Sequence, residues 1–301
     1  MALKNFQRIC QVTIARQPTG FVGNNPTFFD QLPNATLIEY DERNPVAGLR
    51  IQFEAKRDLG KTPNSCKITI TNLAPASRIE AERKPSYVIL SAGHDGVARL
   101  LFTGNVRVAW SELKGTDWET YLILGDGADA YANARLNKSY KEPIDVHRVL
   151  TDCAGSLGQQ LPPEIEQSAD LRQALKTGIS VQGPTRDTLT RLLAPYGYGW
   201  SFQSGKLQIL RSKDTLGQDT LISQDTGLQG SPTRTTPSKK GGISEVTFDV
   251  VLNPDLAPGT TVKLDSKAMS GRFKITDATS KGDTHGSAGT DWSTGIKAVP
   301  L

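Results

Sequence analysis

The tetrapeptide GTDW occurs twice in this chain, at 115–118 and 289–292, each time followed by one residue and a threonine. The segments that precede it match in order as well. CKITITNL, from Cys66, corresponds to EVTFDVVLNP, from Glu245. PSYVIL at 85–90 corresponds to PGTTVKL at 258–264, and FTGNVRVAW, from Phe102, to SGRFKITDA, from Ser270. Buried parity follows the same rule, with Trp118 preceding Leu122 as Trp292 precedes Ile296. A four-residue match alone is within the reach of chance, but an ordered set of segments favours a shared architecture. Two copies are too few for a solenoid, so the expectation is two similar small β-barrels, one at each end. Three such chains in a closed ring would present six similar barrels.

The local patterns fill in the rest. In GLRIQFEA, Leu49, Ile51, Phe53 and Ala55 fall on one face; in SCKITITNL, Cys66, Ile68 and Ile70 do the same. Alternation of period two marks strands with one buried face. Residues 136–215 change character. DVHRVLTDCAGSLG sets Val146, Val149, Leu150, Cys153, Ala154 and Leu157 at helical spacing, with Asp145 as its cap and Gly158 as its end. PTRDTLTRLLAPYG predicts a second helix capped by Thr185, with Leu189, Leu192 and Leu193 inward. GWSFQSGKLQIL reads as a hairpin turning at Ser204-Gly205. The chain thus reads as mainly β with a smaller α+β middle region. A first barrel spans 1–135, an α+β unit 136–215 and a second barrel 216–301. Within the last, the polar Gly/Pro/Ser/Thr-rich stretch 224–244 is expected to be a long loop or extended arm.

Charge and cysteine content exclude several classes. With 35 basic and 31 acidic residues the net charge is +4, and no run of five basic residues occurs, so phosphate neutralisation along a nucleic acid has little support. Cys10, Cys66 and Cys153 are widely spaced and odd in number, without a CxxC pair, and read as reduced thiols. The first residues, MALKNFQRICQVTIARQ, lack the apolar core of a signal peptide, and no apolar run approaches a bilayer span. Synthesis and solubility in the host cytoplasm are the expectation.

Candidate chemistry is sparse. GDTHG places Asp283 beside His285, with Asp291 a few residues on, but its flanking glycines suit a loop between two strands better than a metal site of three or four ligands. LILGDGADA contains GxGxxA, yet Asp126 and Asp129 would repel a pyrophosphate and the strand before it belongs to an antiparallel set. Trp110, Trp118, Trp200 and Trp292 sit in alternating patterns and are expected in the core. No GxSxG, HExxH or Walker loop occurs, and nothing selects a glycosidase carboxylate pair. No catalytic, cofactor-binding or metal-binding residue is assigned, and no cofactor is expected.

Taken in succession, LRIQFEAKRDLGKTPNSCKITITNL, LFTGNVRVA, VQGPTRDTLTRLLAPYGYGWSFQSGKLQIL, TGLQGSPTRT, LNPDLAPGTTVKLDSKAMSGRFKI and KGDTHGSAGTDWSTGIKA resemble the baseplate hub proteins of long-tailed bacteriophages, of the late-control protein D type. The N-terminal part of type VI secretion spike proteins (VgrG) is a more distant cousin. The resemblance implies two tail-tube-like β-barrels with smaller inserted units, and a homotrimer around a central channel. Its partners would be the hexameric tail tube or a tube-terminal protein, the trimeric central spike, the tape measure protein and other baseplate proteins, with DNA only in transit. It implies a structural, non-enzymatic role in the virion tail baseplate. The chain is shorter than larger hubs and carries no lysozyme-like segment, which points away from peptidoglycan hydrolysis. A tail-associated glycan hydrolase or a carbohydrate-binding receptor module is the alternative reading.

Overall fold

A computed structural model describes residues 7–16, 35–44, 48–83, 86–172, 174–175, 177–217, 219–235, 244–286 and 292–301. The N-terminal part forms β1 (Arg8–Arg16), β2 (Thr36–Asp41), β3 (Ile51–Asp58), β4 (Ser65–Thr71), helix α1 (Pro75–Glu82), β5 (Ser86–His94), β6 (Val97–Lys114) and β7 (Asp117–Gly125). The middle part begins with α2 (Ala128–Asn133), β8 (Lys138–Tyr140), β9 (Ile144–Asp145), α3 (Val146–Ser156) and α4 (Pro163–Glu166). It continues through β10 (Ala174–Leu175), β11 (Ile179–Val181), α5 (Thr185–Leu193), β12 (Tyr198–Gln203) and β13 (Lys206–Arg211). The C-terminal part comprises β14 (Asp219–Ile222), β15 (Leu228–Thr235), β16 (Glu245–Val251), β17 (Thr261–Asp265), β18 (Ser270–Asp283) and β19 (Trp292–Pro300).

The duplication seen in the sequence is a duplication of topology. The first half runs β3-β4-β7-β6-β5 across the sheet, and the second runs β15-β16-β19-β18-β17. Every pairing inside both sets is antiparallel. The register repeats too. Six residues after each GTDW tryptophan, Leu124 faces Val106 and Ala298 faces Ile275. One residue earlier, Ile123 faces Val108 and Lys297 faces Asp277, so the register skips Arg107 and Thr276, a bulge at the same place in both copies. A bulge bends its strand and raises its twist, so both copies turn at one equivalent point. This fixes Val106 against Ile275, one residue off the alignment drawn from the sequence. The flanking strands differ: β1 joins β5 antiparallel, whereas β14 joins β17 parallel.

Alternation places the cores as expected. Ile51, Phe53, Ala55, Cys66, Ile68 and Ile70 line the N-terminal core, while Val246, Phe248, Val250, Val262, Ile275 and Ile296 line the C-terminal one. One sheet runs through both, because β18 leaves β17 after the bulge and pairs with β3 instead. The middle part has its own core, in which Leu150, Cys153 and Leu157 of the α3 region meet Leu189 and Leu193 of α5 and Trp200 and Phe202 of β12. Asp145 caps α3 by accepting from the Arg148 amide at 2.8 Å, and Gly158 takes the left-handed conformation (φ 66°) just past its end. Thr185 is not the cap of α5. Pro184 holds that position, and the Thr185 hydroxyl lies 2.7 Å from that of Ser156.

The stretch 224–244 departs from its loop expectation. Leu228–Thr235 is a strand, paired to β16 through a register shift between Gln229 and Thr233; residues 236–243 lie outside the described residues. The shift holds Gly230 at φ 68° and the proline Pro232, two residues tolerated at bulges and sheet edges rather than in regular interior strands. Those residues erased the alternation by which a strand is read.

Candidate functional site

Strand β6 has 18 residues and β5 only 9. Pairing between them reaches no further than Tyr87 and Asn105, whereas β7 follows β6 to Lys114. Beyond Asn105, among the described residues, β6 therefore has a partner on one side only. This open stretch carries apolar side chains: Val108 (51% exposed), Trp110, Leu113 (57%) and, across the hairpin, Trp118. The core placement expected for Trp110 and Trp118 fails, since they are 38% and 40% exposed, while Trp200 and Trp292 are buried. The physical reason is the hairpin's length: it outruns the strands that would cover its faces. Trp110 stacks on Tyr121 at 4.7 Å between centroids, and the Arg78 guanidinium of α1 sits 4.0 Å above Trp118. On the same face as Trp110, the Tyr121 hydroxyl donates to Glu119 and accepts from Lys114, which is also 2.9 Å from Glu119. These bonds hold the Glu119 carboxyl below its usual range.

The equivalent stretch of the second copy is covered. From Asp277 to Asp283, β18 pairs with β3, matching Ser280 to Ala55, Lys281 to Glu54 and Gly282 to Phe53. Trp292 closes this seam edge-on to Phe53, with centroids 5.5 Å apart, and belongs to the N-terminal core. A Cβ on Gly282 would stand 2.3 Å from the Phe53 ring, so only glycine permits this approach. Arg57, buried at the end of the β3 core face, donates to the carbonyls of Leu256 at 2.9 Å and Pro254 at 3.4 Å. A buried guanidinium left without acceptors would be expensive, so these bonds set the position of the 254–256 turn against β3. Lys281 and Glu54 pair at 3.4 Å on the solvent side.

The middle part is joined to both copies by polar contacts. The Asn64 amide donates to the Phe202 carbonyl at 2.8 Å, and Lys274 donates to the carbonyls of Arg211 and Ser212 at 3.2 and 3.0 Å. Burial pulls the Lys274 ammonium below its ordinary value. By the repeated register Lys274 stands where Asn105 stands in the first copy, and Asn105 accepts from the Asp129 amide of α2. Asp126, fully buried, accepts from the Gly205 amide at 2.9 Å. Burial raises its carboxyl to about 7 against the opposing pull of the Gly205 and Ser204 amides and of Arg57.

The sequence motifs resolve into structural roles. In the GxGxxA stretch, Asp126 is spent on the β12–β13 turn, and a Cβ on Gly127 would stand 2.7 Å from the Phe202 ring. The strand before it is antiparallel to both neighbours. Asp283 accepts from Arg50 at 2.6 and 3.1 Å, from Gln52 at 2.9 Å and from the His285 amide at 3.0 Å. Burial pushes its carboxyl up, but these donors outweigh it and the net shift is downward. His285 bonds Thr284 through Nδ1 at 3.0 Å and rests against Tyr40. Asp291 lies outside the described residues. Among the described residues no three His, Cys, Asp or Glu side chains are grouped to hold a metal. Cys10, Cys66 and Cys153 are buried thiols whose pKa burial raises. The features that sequence reasoning missed are the open β6 edge, signalled only by an alternating run longer than its neighbours, and Arg57, which continues the parity of Ile51, Phe53 and Ala55.

No protein-family model and no curated protein sequence matches the chain. Solved structures do. The 43 kDa tail protein of prophage MuSo2 from Shewanella oneidensis superimposes with a TM-score of 0.58 at 10% identity, over 87% of this chain and 94% of that one. A tail protein of Neisseria meningitidis gives 0.55 at 11% identity, over 84% and 96%. The Escherichia coli c3393 protein, a type VI secretion component described as structurally similar to phage T4 tail proteins, gives 0.56 at 12%, over 84% and 73%. A chain of the Francisella PdpA–VgrG complex gives 0.59 at 9%; this protein is matched over 99% of its length and spans about half of that chain (53%). The chain has the mainly β fold of phage tail proteins and their type VI secretion counterparts.

Proposed function

We propose that this chain is the structural hub of a phage-type tail baseplate. Three copies form a ring around a channel; one face of the ring meets the sixfold tail tube and the other the threefold central spike. DNA and the tape measure protein pass through the channel. The observation that carries this reading is the repeated five-strand order, with its bulge at the same register point in both copies. Two like units per chain let a trimer offer six like surfaces, which is what a threefold-to-sixfold adaptor requires. The fold shared with tail proteins supports the same reading. The role is non-enzymatic, and the protein resides in the virion tail.

Solution mass tests it. The purified chain, alone and with its neighbouring tail proteins, is expected to give a defined trimer in at least one setting. A monomer in both settings would sink the hub. Release of fragments from purified peptidoglycan, abolished by replacing one carboxylate pair, would instead favour the hydrolase alternative.

A further inference from the structure

The seam inside one chain specifies the seam between chains. Each copy begins with a strand whose outer side has no partner within that copy, β3 or β15, and contains a strand that outruns its partner at the bulge, β6 or β18. Within the chain, the long strand of the second copy takes the first strand of the first copy: β18 pairs β3. The remaining pair of edges is the long strand of the first copy and the first strand of the second. Among the described residues β15 pairs only with β16, and β6 beyond Asn105 only with β7. Resting on the hub reading above, we infer that β6 of one protomer pairs antiparallel with β15 of the next, in the register that β18 keeps with β3.

The repeated registers fix that pairing residue by residue. Opposite β7 and β19, Val108 is equivalent to Asp277, so Ser111, Glu112 and Leu113 stand for Ser280, Lys281 and Gly282. Opposite β4 and β16, Arg234 stands for Ala55 and Thr233 for Glu54. Ser111 would face Arg234 of the next copy, and Glu112 would face Thr233. Trp292 closes the first seam on Phe53. By the same register the exposed Trp110 would face Thr235 of the next copy. The pairing also covers two open strand edges that would otherwise pair non-specifically.

Cysteine pairs read the register directly. Adjacent cross-strand pairs alternate between narrow and wide, so of Ser111→Cys/Arg234→Cys and Glu112→Cys/Thr233→Cys one has the spacing a disulfide needs. The native thiols are buried and do not compete. Under mild oxidation, alone and with neighbouring tail proteins, at least one matched pair is expected to give covalent dimer and trimer. The off-register Ser111→Cys/Thr233→Cys chain should give little, because its thiols point to opposite faces. A trimer by mass in which both matched pairs stay unlinked, or in which the off-register pair links as well as they do, overturns this pairing and leaves the hub intact. A monomer in both settings overturns both.

Discussion

Trp118 and Trp292 follow the same GTD tripeptide, sit at the same register point and begin equivalent strands, yet one is 40% exposed and the other 4%. The shared GTDW and the threonine two residues on cannot account for that difference. What differs is the neighbour. Trp292 has β3 of the other copy beside it; Trp118 has solvent and the Arg78 guanidinium. A repeated unit with one satisfied and one unsatisfied edge is what the proposed ring requires of each segment. The comparison teaches that burial of this tryptophan is decided by the neighbouring strand, and on the proposed hub the exposed hairpin is a half-interface.

The largest expected effect breaks the comparison outright. Trp292→Ala should destabilise the isolated chain by about 3–5 kcal/mol, whereas Trp118→Ala should cost less than about 1 kcal/mol there and weaken the trimer instead. Denaturant titration beside solution mass separates the two; equal losses in the isolated chain would refute the equivalence.

A second prediction concerns the joint to the middle part. Asp126 is raised in the folded state to about 7 and is ordinary when unfolded. Between roughly pH 4 and 7 the folded chain then holds a proton that the unfolded chain has released, so stability falls as pH rises through this window and levels off above it. The fall should approach about 4 kcal/mol at most, and Asp126→Asn should abolish it, as read from unfolding free energy against pH. A wild-type curve parallel to that of the variant would remove Asp126 from the account.

Gly282→Ala should cost about 1–3 kcal/mol by driving a methyl into the Phe53 and Trp292 rings. Leu113→Ala, at the equivalent position of the first copy, should leave the isolated chain within about 0.5 kcal/mol. Thermal melts of both variants check this. Smallest of all, Lys281→Ala breaks a pair that is 60% and 36% exposed and should shift stability by under about 0.5 kcal/mol; a larger change would give the polar side of the seam a weight this account denies it.

Much of the architecture was legible in the sequence because burial of one sheet face writes a period of two. Ile51, Phe53 and Ala55, or Val246, Phe248 and Val250, announce their strands, and the duplicated GTDW announces the repeat. Asp145 and Gly158 bounded α3 because caps are chosen by local backbone geometry. What stayed hidden was non-local. Strand β15 was unreadable because Gly230 and Pro232 at its bulge interrupt the alternation, and an edge strand places fewer side chains in a core. The exposure of Trp110 and Trp118 depends on where β5 and β4 stop, which their own neighbours in sequence do not record. Arg57 could be placed on a buried face by parity, but its carbonyl acceptors at Pro254 and Leu256 are nearly two hundred residues away.

Amide hydrogen exchange, measured on the isolated chain and on the assembled hub, tests the central claim most directly. The account predicts that amides of β18 from Asp277 to Asp283 are protected in both. Those of β6 beyond Asn105 that do not bond β7, together with the outward amides of β15, should exchange fast in the isolated chain and become protected only on assembly. Fast exchange along β6 and β15 in an assembled trimer would contradict it.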